Sequence, residues 1–397
     1  MKILVISNLF PPYVLGGAES FAYELSTTLA KDHEVLVVTT CASNSKKQFK
    51  VTGFENLKVV RFFPKNMYWL YNRNQRPSWK KALWHILDYF NLHSYYSLKK
   101  IIKKFQPDII HSHNIDGFSA SVWSAAQSLN IPVVYTAHDG HLLCPKANFL
   151  HQNKKIDCGK THCKIYRSLH LLNTKNIDLF VSPSKFLLNT YLQFGMKVKS
   201  HQVIENGLLS NTKPQLNTNL FPLKVLFMGQ ISSHKGVNCL IKTIQHFKNQ
   251  SNVEFHIAGK GPDEKQITAL QNSYQNIYYH GFVSGKAKEK LLLDCHLLLF
   301  PSQCYENSPL SILEAFQYGL VVIASDIGGV PELIKNNENG ILFEVDDYQF
   351  VFDTITSFLE NTEKLQRFQK NAQRHFNSFH IERCASDYLT AYQKLLN

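Results

Sequence analysis

Short, uninterrupted apolar runs recur along this chain of 397 residues, and each is followed by a turn and a helical pattern. KILVIS (2–7), HEVLVVTT (33–40), DIIHSH (108–113), VVYTAH (133–138), IDLFVS (177–182) and HQVIE (201–205) form a first series. KVLFMG (224–229), VEFHIAG (253–259), NIYYHG (276–281), HLLLF (296–300) and LVVIAS (320–325) form a second. Runs that are apolar on both faces read as parallel strands covered by helices on both sides. Between the two series, residues 206–222 are polar and rich in Asn and Pro, which is a linker composition. The expected architecture is α/β: two doubly wound, Rossmann-like domains, 1–205 and 206–379, facing each other across a cleft. A last helix, about 380–397, is expected to pack back on the first domain.

A hydrophobic content of 44% describes a globular chain, and no apolar run approaches the ~18 residues that cross a bilayer. The N-terminal ILVIS is too short for the apolar region of a signal peptide, so a cytoplasmic protein is expected. Net charge is +13 and it is unevenly held: up to Glu205 there are 26 Lys+Arg against 12 Asp+Glu, and beyond it 17 against 18. The basic half would attract an anionic membrane surface, nucleic acid or acidic substrates, or form a merely soluble face. No helix-turn-helix, zinc knuckle or RNP-like strand supports nucleic acid. Within residues 65–105 aromatic side chains (Tyr68, Trp69, Tyr71, Trp79, Trp84, Tyr89) lie among Arg73, Arg76, Lys80 and Lys81. Such a stretch suits a membrane interface or a sugar-stacking surface, and equally one long core helix with a solvated basic face. Eight cysteines without an export signal argue for reduced thiols. Cys144, Cys158 and Cys163, with His141, His151 and His162 nearby, leave a structural zinc as an alternative, although their spacing is looser than paired CxxC knuckles.

The stretch FPSQCYENSPLSILE (300–314) ends a buried strand and opens a helix, with Ser308 as the expected cap and Pro309 in the first turn. The open N-terminus of that helix offers N–H groups and partial positive charge to an anion, most often a phosphate. Glu306 and Glu314 flank it, and carboxylates are poor phosphate ligands, so they suit hydroxyl groups. Either could also be an ordinary solvated residue. GQISSHKG (229–236) places Lys235 at a helix start, where its charge would add to the helix's own attraction for phosphate. Gly16 and Gly17 precede the first helix without forming a dinucleotide fingerprint. His113 and His138 fall at strand C-termini, where catalytic groups of such sheets are placed. Asp139 beside His138 would fix the imidazole tautomer and raise its basicity.

GGAE (16–19), HSHN (111–114), AHD (137–139), SPSK (182–185), ENG (205–207), GQISSHKG, AGKGP (258–262), HGFV (280–283), PSQCYENSPLSILEA and ASDIGGVPELI together resemble retaining glycosyltransferase family 4, of GT-B fold. The likeness runs in order from residue 2 to about residue 345. It implies a glycosyltransferase that moves a hexose-type sugar from a nucleotide-sugar to an acceptor hydroxyl, with configuration retained and without a metal or other cofactor. The second domain would bind the nucleotide-sugar and the first the acceptor. Lys235 would hold the diphosphate, with the backbone at Ser308, Pro309, Leu310 and Ser311 at the phosphate. Glu314 would hold the ribose and the Val283 backbone the base. Glu306 would meet the sugar hydroxyls, His138 would stand near the reacting centre, and Gly16 and Gly17 would close over the diphosphate. At Gln230 many family members carry Arg, so here a contact without charge replaces a charge partner. The basic, aromatic first domain points to an acceptor at the membrane face, such as a lipid-linked saccharide in envelope polysaccharide or glycolipid synthesis. A non-catalytic sugar- or nucleotide-binding protein on the same fold is the alternative.

Overall fold

The computed structural model describes residues 1–43, 57–145, 147, 149, 159–210 and 214–397. Its backbone contacts divide the chain into two units. Unit 1 comprises Met1–Ala147, Cys158–Leu209 and Ile381–Asn397, and unit 2 is built on Ser210–His380.

In unit 1 the strands are β1 (Lys2–Ile6), β2 (Glu34–Thr40), β3 (Leu57–Phe62), β4 (Ile109–Ser112), β5 (Val133–Thr136), β6 (Leu179–Ser182) and β7 (Ser200–Val203). They form one parallel sheet in the order β3-β2-β1-β4-β5-β6-β7. Its helices are α1 (Gly17–Leu29), α2 (Ser78–Leu87), α3 (Leu92–Phe105), α4 (Ser121–Gln127), α5 (Thr161–Leu172) and α6 (Lys185–Gln193). The central strands are buried because helices cover both faces: Ile3, Leu4, Ile109, Val133 and Val134 expose nothing to solvent. Ser184 caps α6 by accepting the Leu187 N–H at 3.1 Å. The aromatic and basic stretch is not one long helix. It is a 3-10 turn (Leu70–Gln75) followed by α2 and α3, because Pro77 cannot continue a helix and Asn91 starts a new one by accepting the Ser94 N–H.

Unit 2 repeats the plan with β8 (Leu223–Met228), β9 (Val253–Ala258), β10 (Ile277–Gly281), β11 (Leu297–Phe300), β12 (Val321–Ser325) and β13 (Gly340–Phe343). These strands are parallel in the order β10-β9-β8-β11-β12-β13. Around them lie α7 (Val237–His246), α8 (Glu264–Ser273), α9 (Gly285–Asp294), α10 (Leu310–Gln317), α11 (Val330–Leu333), α12 (Tyr348–Glu360) and α13 (Thr362–Phe376). In both sheets the order reverses beside the first strand. Such a switch point opens a crevice at the C-terminal strand edge, where loops can hold a ligand.

The last helix, α14 (Ile381–Leu396), belongs to unit 1. Its apolar face packs on α1, and two fully buried tyrosines anchor it. Tyr388 Oη lies 2.9 Å from Thr136 Oγ1, and Tyr392 Oη lies 2.6 Å from His111 Nδ1. Among the described residues no helix is long and apolar enough to cross a membrane.

Candidate active site

The clearest constellation lies at the C-terminal strand edge of unit 2. The turn Ser233–Lys235 is stitched to the end of β11: the Gln303 N–H donates to His234 O at 2.9 Å. Gly236 has φ +81, and a Cβ there would stand 1.8 Å from Pro301 O, so only glycine lets this turn lie against the strand end. The result brings Lys235 Nζ within 2.5 Å of Glu306 Oε1. Ser302 Oγ donates to the same oxygen at 2.9 Å, and Cys304 Sγ lies 3.4 Å from it. Burial pushes the Cys304 thiol up to about 11, so it stays protonated and can donate.

Burial also opposes a charge on Glu306, but the Lys235 ammonium and the three hydrogen bonds outweigh it and hold the carboxyl below its ordinary range. Lys235 shows the mirror image: burial pulls its amine down, and Glu306 more than restores it. Both groups are therefore charged near neutral pH. All three donors converge on Oε1, so Oε2 has no protein donor among the described residues and is the oxygen left for a ligand. The Glu306 backbone is fixed from the other side, where the Gly329 N–H donates to Glu306 O at 2.8 Å. A Cβ on Gly328 (φ +65) would fall 2.4 Å from that oxygen. The SDIGG stretch thus positions Glu306.

Ser308 differs from its expected role. The N-cap position of α10 is Pro309, which makes no side-chain cap, and Ser308 is buried one residue earlier. Proline directs the chain into the helix through its fixed φ, leaving the first-turn N–H groups of Leu310 and Ser311 without an intrahelical carbonyl. Glu314, one turn further on, is paired: Lys288 Nζ of α9 lies 2.6 Å from its Oε1. Lys288 went unnoticed in the sequence because it looks like one of three surface lysines in KAKEK, Lys286 among them. Gln230 is exposed in the loop after β8, and Val283 is half-buried in the loop between β10 and α9.

Unit 1 gathers a second group at its own C-terminal strand edge. His113 Nδ1 lies 3.0 Å from His138 Nε2, with the rings stacked at 5.2 Å and Phe21 of α1 edge-on to both. Behind them His111 Nε2 meets Thr136 Oγ1 at 2.8 Å, while its Nδ1 meets Tyr392. This network of His111, Thr136, Tyr388 and Tyr392 was not foreseen. Its signal was present in HSH, since residues two apart on a strand share a face.

The expectation that Asp139 raises the basicity of His138 is corrected. Asp139 Oδ1 accepts the His141 N–H at 2.9 Å, and burial drives His138 down to about 4. His113 is held well below its ordinary value by burial and by its two histidine neighbours, while burial lifts Asp139 to about 6. His138 is thus a neutral hydrogen-bonding group at physiological pH rather than a strong base. An NMR titration is expected to place its midpoint near 4, and a midpoint above about 6.5 would contradict the assignment. Because the folded state holds fewer protons here than the unfolded one, this group removes stability as pH falls from about 6.5 towards 4.

Gly16 directly precedes α1, and its N–H donates to Glu19 Oε2 at 2.8 Å. At φ −161 it is extended backbone that any residue adopts, so an unusual dihedral does not explain the glycine. Both Gly16 and Gly17 are exposed. Of the zinc alternative, Cys144 and Cys163 are buried in unit 1, while Cys158 and His151 lie outside the described residues. Among the described residues no group of three His, Cys, Asp or Glu side chains could hold a metal.

Two doubly wound parallel sheets, the second carrying a lysine, a helix N-terminus and two paired carboxylates at its ligand edge, describe a class of two-sheet α/β protein that comparison with known proteins specifies. The family model Glycosyltransferase Family 4 matches residues 15–208, and Glycosyl transferases group 1 matches residues 210–375. The chain belongs to glycosyltransferase family 4 and is a glycosyltransferase of GT-B fold. It is 24% identical over 337 residues to a 42.6 kDa protein in the cps region of Klebsiella pneumoniae, covering 84% of this chain and 88% of that one. Among solved structures it is similar to sucrose-phosphate synthase from Thermosynechococcus elongatus, with a TM-score of 0.77, 17% identity and coverage of 99% and 98%. It is also similar to Anabaena HepE in complex with UDP, with a TM-score of 0.72, 18% identity and coverage of 99% and 100%. At these identities the structural likeness speaks to fold alone.

Proposed function

We propose that this enzyme transfers a hexose-type sugar from a nucleotide-sugar to an acceptor hydroxyl, with retention of configuration and without a metal. The observation that carries the reading is the Lys235–Glu306 pair set beside the open N-terminus of α10. A leaving diphosphate develops negative charge, and Lys235 with the Leu310 and Ser311 N–H groups would take it up. The free Oε2 of Glu306 would accept a sugar hydroxyl, and Glu314, held by Lys288, would accept the ribose hydroxyls. Similarity to a structure that contains UDP supports a nucleotide donor. Gln230 would contact the donor without adding charge.

In the reaction the bond between the anomeric carbon and the phosphate oxygen breaks, and the acceptor oxygen bonds to that carbon from the same face. The acceptor proton passes to the departing phosphate. No strong protein base is required, which agrees with a neutral His138 that orients a hydroxyl by hydrogen bonding. The test is the anomeric configuration of the product, read by NMR from a panel of nucleotide-sugars. Retention is expected; inversion would refute the mechanism, and a chain that binds donors but never turns over would be a binding protein instead.

An acceptor at a membrane face, in envelope polysaccharide or glycolipid synthesis, is supported by unit 1. Helix α2 exposes Trp79, Leu83 and Ile86, and α5 exposes Ile165, Leu169 and Leu172. The two helices are neighbours through His85–Tyr166 and Tyr89–His170 ring contacts. Lys81, Lys160 and Lys164 lie on the same helices or beside them, a composition suited to an anionic lipid surface. The relative in a cps region agrees with this role. Vesicles containing anionic lipid are expected to float the protein, and Ile86→Glu with Leu172→Glu to release it; equal recovery on neutral vesicles would count against the membrane role.

A further inference from the structure

Unit 1 holds a cavity of 260 Å³ that none of the roles above uses. Its walls include Phe63, Tyr68, Trp69, Asn72, Arg76 and Lys80. Residues that directly follow β2 and β3 line it, so it opens at the C-terminal edge of the sheet, the edge that also carries His113 and His138. The aromatic walls are rigid. Trp69 Nε1 donates to Thr40 Oγ1 at 2.8 Å and its ring stacks on Tyr71, while Tyr68 stacks on Trp84.

The two cations are unneutralised. Among the described residues neither Arg76 nor Lys80 meets a carboxylate, and Arg76 Nε is buried without a hydrogen-bond partner, its guanidinium 5.8 Å from the Tyr68 ring centroid. Asp88, whose carboxyl burial raises well above its ordinary range, meets Asn66 Nδ2 at 3.4 Å and neither of the two cations. Two cations without a carboxylate partner at one end of the cavity, one of them with a buried and unpartnered Nε, suit an anion. Aromatic faces beside an amide call for a ring with hydroxyls. A bare inorganic anion would leave the aromatic walls unused, and an alkyl chain would leave Arg76, Lys80 and Asn72 unpaired.

We infer that this cavity binds a sugar phosphate ester, with its phosphate on Arg76 and Lys80 and its ring against Trp69, and that this ester is the acceptor of the transfer proposed above. The inference therefore rests on that reading for the ligand's role, but not for its binding.

Calorimetric titration with glucose 1-phosphate tests it, using Lys235→Ala protein so that the donor site does not take the phosphate. Glucose 1-phosphate is expected to bind more tightly than glucose or inorganic phosphate, and adding Arg76→Gln with Lys80→Gln is expected to weaken it about tenfold or more. Ala42 also lines the cavity, and Ala42→Phe, which fills it and leaves both cations in place, is expected to abolish binding and guards against a misfolded double variant. Unchanged affinity in both variants, or inorganic phosphate binding as tightly as the ester, would overturn the proposal. A glucosyl dodecyl phosphate in phosphatidylcholine vesicles separates the two sources of such an ester. Tighter binding than free glucose 1-phosphate, through the same residues, supports a lipid-linked acceptor, and equal binding supports a soluble one. Turnover of a nucleotide-sugar without any glucose 1-phosphate binding refutes the cavity alone, whereas binding through Arg76 and Lys80 without turnover refutes the transferase reading alone.

Discussion

Lys235→Ala is expected to lower turnover with the cognate nucleotide-sugar by about 10²–10³-fold, the usual cost of losing one preorganised donor to a developing anion. The expectation is at the upper end of that range because position 230 is Gln, so this loop carries no second cation there to share the load. Removing the ammonium also strips Glu306 of the charge that offsets its burial, so its carboxyl would move up and protonate more readily. Lys235→Arg should recover only part of the activity, since the turn is locked against Pro301 and leaves little room for a longer, planar group. Steady-state kinetics with each variant measures this, and wild-type rates in Lys235→Ala would remove the residue from the site.

Glu306→Ala is expected to damage both stability and activity. The carboxylate receives Lys235, Ser302 and Cys304, so deleting it leaves a largely buried ammonium and two donors unpaired. Breaking such a pair from one side costs about 2–4 kcal/mol, a range reduced here because the lysine retains some solvent contact. The double variant Lys235→Ala with Glu306→Ala should recover much of that stability, giving a coupling energy above about 1 kcal/mol. Activity should not return with stability, because both groups also serve the donor. Urea unfolding of the four proteins measures the coupling. Simple additivity would mean that the pair is a surface contact of little consequence.

The two-sheet architecture was legible because its signal is long-range and redundant: LLLF at 297–300 and ILVI at 3–6 have no polar face and fit only a strand covered on both sides. β3 and β13 escaped notice. LKVVRF carries Lys58 and Arg61 in an edge strand, and GILF is a four-residue strand opened by glycine, so neither presents a clear apolar run. At the ligand edge of unit 2, Lys235, Glu306 and Glu314 could be named from motif and chemistry, but their partners could not. Ion pairs between Lys235 and Glu306, 71 residues apart, and between Lys288 and Glu314, on different helices, depend on how loops meet in space. Ser308 has the residue type of a cap, but the proline beside it decides where the helix begins. The basicity of His138 is hidden from the sequence in a similar way. Sequence shows the adjacent Asp139 but not the burial that outweighs it.

The central claim is that unit 2 binds the diphosphate of a nucleotide-sugar through Lys235 and the N-terminus of α10. Thermal unfolding of the full chain against nucleoside diphosphates and their sugars, with a metal chelator present, tests it most directly. A ligand that binds only the folded state raises stability by about 2.7 kcal/mol at a hundredfold excess over its Kd. The account predicts that one nucleotide series raises the melting temperature in chelator and that the shift vanishes in Lys235→Ala. No shift with any nucleotide, a shift that needs added metal, or one that survives the loss of Lys235 would contradict it.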